Sequence, residues 1–141
     1  MSTRVESAAE LWLTWKRAFE AVRAPIVADV TAGSDLSEPE LSVLVTLFEA
    51  GGAARQNVLA AELGWDRTRL SHLLTRMEAR EYVTRGKVTG GVEVALLTRG
   101  RDALDTSIPT LEDSARRHLL DALDPEDVRA LRRIVRRLLT S

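Results

Sequence analysis

The sequence predicts a mainly α fold carrying one small β-hairpin, and three observations predict it. Aromatic residues are only 4% of the 141 residues while apolar residues are 45%, so the core must be built from Leu, Val and Ala. That set favours helices. Apolar residues recur every three or four positions through most of the chain, the spacing of one helix face. Strand-like alternation occurs in one region alone, on either side of Thr89-Gly90-Gly91.

The first helix is expected from about Ser7 to Val30, where Leu11, Trp15, Phe19, Val22 and Ile26 form a stripe that Trp12 widens. Pro25 lies inside this pattern and predicts a kink or break, because proline lacks the N–H that a helix interior needs. Thr31 to Leu36, with Gly33, reads as a loop. Ser37-Glu38-Pro39-Glu40 is a helix start: Ser37 caps, Glu40 completes a capping box, and Pro39 suits the first turn. Leu41, Leu44, Val45 and Phe48 are its expected buried face, and Gly51-Gly52 ends it.

A short helix follows over about Gln56 to Leu63, with Val58, Leu59 and Leu63 facing inward and Gly64 as its stop. Asp66 caps the next helix, in which Leu70, Leu73, Leu74 and Met77 bury at helical spacing. Two short helices joined by a tight glycine-containing turn form a helix-turn-helix. Strands are expected over Tyr82–Lys87 and Val92–Leu97, joined by a Gly-Gly turn. Thr98 is the expected cap of a long helix running to about Leu123 and interrupted at Pro109. Asp124-Pro125-Glu126-Asp127 starts a final helix with the stripe Val128, Leu131, Val135, Leu138 and Leu139. Arg132, Arg133, Arg136 and Arg137 then fall where cations offset the negative end of the helix dipole. Three regions result: 1–36, a helix of a dimerisation region; 37–98, a winged helix-turn-helix; and 99–141, C-terminal dimerisation helices.

Composition excludes several functions. The chain has no cysteine, which removes disulfides, thiolate nucleophiles and thiol redox sensing. Its two histidines, His72 and His118, are far apart, so no metal site is expected. No Ser/His/Asp set or phosphate-binding glycine loop is visible, so neither an enzyme nor a cofactor is expected. No apolar run approaches a membrane span of about 18 residues, and the N-terminal segment lacks a signal-type apolar region. A cytoplasmic protein with no membrane partner is the expectation. Net charge is −1, yet Arg55 to Arg101 holds nine basic against five acidic residues while the remainder is acidic. A basic middle in an acidic chain suits a single module that meets phosphate.

The stretch Leu59–Arg80, LAAELGWDRTRLSHLLTRMEAR, resembles the MarR family of transcriptional regulators, whose pattern is roughly LAxxLGxxxSTVSRLVxRLExxGLVxR. The likeness continues through Leu96-Leu97-Thr98-Arg99-Gly100 and Leu120-Asp-Ala-Leu-Asp-Pro-Glu126. The resemblance implies a homodimeric regulator of double-stranded DNA, with terminal helices that intertwine with a second chain. It also implies an effector pocket between those helices and the reading domain. Two departures stand out. The wing is about two residues short and lacks the family's Asp-x-Arg, leaving Arg85 and Lys87 as candidate substitutes for its minor-groove arginine. The family's glycine after the reading helix is Glu81 here, which predicts an altered helix exit because a Cβ disfavours the left-handed cap.

A helix of about 14 residues spans about 21 Å and fits the major groove. On the predicted reading helix, Arg67, Thr68, Arg69, Ser71, His72, Thr75 and Arg76 lie off the buried face. Arg69 and His72 are assigned to base edges, and Thr68, Ser71 and Arg76 to phosphates. Trp12, Trp15 and Phe19 read first as packing. Their second reading is an effector pocket for a small aromatic or carboxylate ligand, with Lys16, Arg17 or Arg23 as its cation. The function expected is a sequence-specific regulator, a repressor relieved by that effector and acting on a pseudo-palindrome. The rival is a helical dimerisation module with degenerate DNA binding.

Overall fold

A computed structural model describes residues 7–141; residues 1–6, which belong to the predicted region 1–36 and to the reading of the N-terminus, lie outside the described residues. The element order is α1 (Ala8–Ala32), α2 (Glu38–Glu49), β1 (Ala53–Arg55), α3 (Gln56–Leu63), α4 (Arg67–Ala79), β2 (Val83–Val88), β3 (Gly91–Leu96), α5 (Thr98–His118) and α6 (Pro125–Leu139). A mainly helical fold with a small antiparallel wing is what composition and periodicity predict. The chain divides into two compact units, one of residues up to Val30 together with Thr110–Ser141, the other Thr31–Pro109. Among the described residues no helix is long and apolar enough to cross a membrane.

In the unit Thr31–Pro109, the start of α2 follows its sequence signal. The Ser37 hydroxyl accepts from the Glu40 N–H at 3.3 Å, and the Glu40 carboxylate accepts from the Ser37 N–H at 2.9 Å. Two otherwise unpaired backbone donors are thereby satisfied. Leu41, Val43, Leu44 and Leu47 bury, but Phe48 does not. Its ring is 46% exposed and lies under the Arg101 guanidinium, 4.5 Å from the ring centroid. Val58 of α3 likewise faces outward, and Leu59 and Ala60 carry that helix's burial. Both misplaced residues sit at the edge of an apolar stripe, where the neighbouring elements decide which edge is covered.

The sheet has three strands in the order β1-β3-β2, not the two expected. Ala53 pairs with Ala95 and Arg55 with Glu93, so a three-residue strand ahead of α3 closes the sheet edge. The hairpin pairs Val83 with Leu96 and Val88 with Gly91, leaving Thr89-Gly90 as a two-residue turn. Gly90 takes φ +84°, which a side chain would disfavour. The core beneath combines α2 and α3 leucines with Leu70, Leu73, Leu74 and Met77 of α4, Val83, Val94 and Leu104.

The two helix prolines do not break their helices. α1 runs unbroken through Pro25, and α5 through Pro109 to His118, where a short 3-10 turn at Leu120–Ala122 replaces the predicted helical extension to Leu123. Thr98 is the first helical residue of α5 rather than its cap. Gly100, in the same first turn, is buried, and a Cβ there would lie 2.2 Å from the Tyr82 carbonyl oxygen. In the other unit, α6 starts as predicted, with the Asp124 carboxylate accepting from the Asp127 N–H at 2.9 Å and Pro125 in the first turn. Asp29 of α1 accepts from the Ser114 hydroxyl at 2.7 Å and the Arg117 guanidinium at 3.1 Å, with His118 Nε2 at 3.2 Å. The Ser114 hydrogen bond, aided by His118 and Arg117, holds the Asp29 carboxyl below its ordinary 3.8 against a smaller opposing effect of burial.

Candidate nucleic-acid interface

The turn between α3 and α4 is built by local chemistry. Gly64 adopts φ +68°, and the Trp65 N–H reaches back to the Ala60 carbonyl at 3.0 Å. Asp66 then caps α4, its carboxylate accepting from the Arg69 N–H at 2.8 Å. A left-handed glycine followed by a capping aspartate stops one helix and starts the next within three residues.

Leu70, Leu73, Leu74 and Met77, the large apolar residues of α4, all bury, so its outer face is mainly polar. Arg67, Thr68, Arg69, His72, Thr75 and Arg76 are exposed along it, and Ser71 is half-buried. The 13 residues of the helix span about 20 Å, somewhat more than one and a half times the ~12 Å width of the major groove. The Arg69 guanidinium lies over the Trp65 ring, 5.0 Å from its centroid. No carboxylate among the described residues pairs with Arg67, Arg69 or Arg76.

Arg85 is placed differently. Its side chain turns back onto α4, with Nε and Nη2 on the Glu78 carboxylate at 2.9 and 2.8 Å, and Nη2 also donating to Thr75 Oγ1 at 2.8 Å. Its Nη1 lies 3.4 Å from Ser71 Oγ, and its backbone N–H donates to the second Glu78 oxygen at 3.1 Å. Thr75 in turn donates to the Ser71 carbonyl at 3.0 Å. Arg85, Ser71 and Thr75 are therefore engaged with one another and with Glu78, in a network that ties β2 to α4. Lys87, two residues along β2, remains exposed.

Sequence reasoning missed Trp65, Glu78 and Arg55. The guanidinium of Arg55, from β1, reaches the wing turn: its Nη1 is 2.9 Å from where a Cβ on Gly90 would stand. No local signal marked it, because the strand that carries it was itself not predicted. The exit of α4 also departs from expectation. Glu81 adopts φ +61° in place of a glycine, its N–H reaches the Glu78 carbonyl at 2.9 Å, and the Tyr82 N–H reaches Met77 at 3.0 Å. The left-handed exit is thus kept despite the side chain. Arg80, just before it, binds the buried Glu40 carboxylate at 2.9 Å, the Tyr82 hydroxyl at 2.8 Å and the Asp35 carbonyl at 3.0 Å.

The residues considered for an effector lie on α1. Trp12, Trp15 and Phe19 are 58%, 41% and 55% exposed. The Trp15 and Phe19 rings stack with centroids 6.5 Å apart, and the Lys16 ammonium lies 5.6 Å from the Trp12 ring centroid. Arg23 pairs with Glu20 at 3.2 Å.

No protein-family model and no curated protein matches this chain. Solved structures do. AbsC, a MarR family transcriptional regulator from Streptomyces coelicolor, is 28% identical, with a TM-score of 0.79 over 99% of this chain and 100% of its own. Sco3205, a MarR family regulator from the same organism solved in complex with DNA, is 24% identical, with a TM-score of 0.82 over 98% of this chain and 90% of its own. The organohalide-sensing regulator RdhR, solved with 2,4-dichlorophenol bound, is 15% identical, with a TM-score of 0.76 over 98% and 86%.

Proposed function

From a chain with the MarR-family winged-helix architecture, we propose a homodimeric, sequence-specific regulator that binds double-stranded DNA and places α4 in the major groove. The observation that carries this reading is the division of α4: four apolar residues buried, and an outer face of exposed arginine, threonine and histidine that opens on a capped N-terminus. Arg69 and His72 are assigned to base edges. Arg67, Thr68 and Arg76 are assigned to the phosphates that set the helix's register, because arginine and hydroxyl donors suit phosphate oxygens. Ser71 and Thr75 present their hydroxyls from within the Arg85 network. Lys87 is the wing's exposed cation.

Two copies are needed for specificity, because one helix reads only a few base pairs. The exposed Leu11, Trp12, Leu13, Trp15 and Phe19 of α1, with Ile134, Leu138 and Leu139 of α6, supply apolar surface for a symmetric contact. Half-sites about 10 bp apart would then match the two reading helices. A small aromatic or carboxylate effector, with Trp12, Trp15, Lys16 and Phe19 as its candidate contacts, would relieve repression by favouring a dimer with different spacing. RdhR with its bound chlorophenol supports that class of ligand for this architecture.

The test is selection of duplexes from a random pool, followed by a shift assay at fixed salt against scrambled sequence. An inverted repeat preferred by about a thousandfold is expected. Light scattering should give twice the 15.6 kDa chain mass. A protein with a dimer mass that selects no sequence would instead support a dimerisation module with degenerate DNA binding. The inward turn of Arg85 favours that second reading, since it removes one of the two candidate wing cations.

A further inference from the structure

We propose that Trp65 is a positioning residue for base recognition: its ring holds the Arg69 guanidinium by the face and presents the N–H edge to a guanine. The inference rests on the reading of α4 as the DNA-reading helix, and it assigns a role to a residue in the turn ahead of it.

Four cations in the described residues lie over aromatic rings, and they are not equivalent. Arg80 over Tyr82 spends its N–H groups on Glu40, Tyr82 and Asp35. Arg101 over Phe48 is drawn to Asp105 at 3.4 Å. Lys16 over Trp12 has a round ammonium with no planar edge to aim. Arg69 alone combines a planar guanidinium, an aromatic ring beneath it at 5.0 Å from the centroid and no carboxylate or carbonyl hydrogen-bonded to its side chain among the described residues. It is oriented but not consumed.

The backbone fixes both ends of this stack independently. The Trp65 N–H is bonded to Ala60, and the Arg69 N–H to the Asp66 carboxylate. The ring and the guanidinium thus start from two pinned positions four residues apart. Guanine offers two acceptors, O6 and N7, in the major groove, and a guanidinium edge matches them with two parallel donors. A stacked arginine keeps those in-plane donors while losing much of the rotamer freedom that binding would otherwise remove. Because the ring is neutral, it adds no counterion release. Its removal should therefore leave the salt dependence of binding unchanged.

The experiment takes a duplex selected by the wild-type protein and measures binding to every single-base-pair variant of it at fixed salt. The wild type is expected to prefer G·C at one position per half-site by tenfold or more. Trp65→Ala should cut that preference about three- to tenfold while leaving other positions and the salt slope in place, measured at a temperature where the variant is folded. Trp65→Phe, which keeps a ring, should retain most of it. Arg69→Ala should abolish the preference, and adding Trp65→Ala to it should change nothing more. Arg69→Lys leaves the turn intact, keeps the charge and loses the fork; it should lose the preference while keeping the salt slope. Undiminished discrimination in Trp65→Ala, equal weakening at every position, or retained discrimination in Arg69→Lys would each overturn the inference alone. A wild-type protein that selects no duplex would overturn the DNA-binding reading and this inference with it.

Discussion

Replacing Glu81 by glycine is expected to stabilise the protein, although it removes an ion-paired side chain. Glu81 sits immediately after the C-cap of α4 with φ +61°, a conformation in which a Cβ crowds the following carbonyl. Holding an L-residue there costs about 1–2 kcal/mol. The substitution gives up the Arg99–Glu81 contact at 3.5 Å, whose side chains are 67% and 73% exposed. Such a pair contributes about 0.5 kcal/mol or less. Glycine also gives the unfolded chain more freedom, a further loss of about 0.5 kcal/mol. The balance is a gain of up to about 1 kcal/mol, centred on ~0.5 kcal/mol, or ~2 °C in melting temperature for a chain of this size. Calorimetry at equal protein concentration measures it, with Glu81→Ala as the control. Alanine loses the ion pair but keeps the Cβ, so it should not stabilise. A Glu81→Gly protein that melts at or below the wild type, or a Glu81→Ala protein that matches it, would refute the backbone argument.

The other predictions concern contacts made across the fold. Arg85→Ala leaves Glu78 without the donors that hold it beneath the wing; it should lower unfolding free energy by about 1–3 kcal/mol in chemical denaturation, and Arg85→Lys should recover only part of this. Gly100→Ala drives a methyl into the Tyr82 carbonyl and should destabilise by about 3 kcal/mol; a folded variant with wild-type melting would show that α5 can shift freely. Asp29 titrates below its ordinary value of 3.8, so its contribution to stability is complete above that pH and is lost as pH falls through the lower folded value. Asp29→Asn should therefore be less stable than the wild type near neutrality, with the gap closing as pH falls from 3.8 through the lower folded value. A gap of constant size across that range would show that the Asp29 charge contributes nothing.

What the sequence determined by itself are features set within one turn of chain. The Ser37–Glu40 capping box, the Gly64 stop, the Asp66 and Asp124 caps and the buried face of α4 each depend on residues three or four apart. Those signals sufficed for a mainly helical fold with a wing and for locating its polar helix face. Tertiary structure decided the rest. β1 is three residues long, too short for any periodicity, and exists because β3 offers its edge. Phe48 and Val58 lie at stripe edges, where the neighbouring elements determine exposure. Glu81 takes a conformation its own side chain opposes, between the α4 exit and the Tyr82 backbone. Arg85 carries the charge of a DNA contact, yet a carboxylate seven residues earlier and two hydroxyls on α4 claim it. A charge's sign can be read from sequence, but its direction depends on which partner lies within reach once the chain has folded.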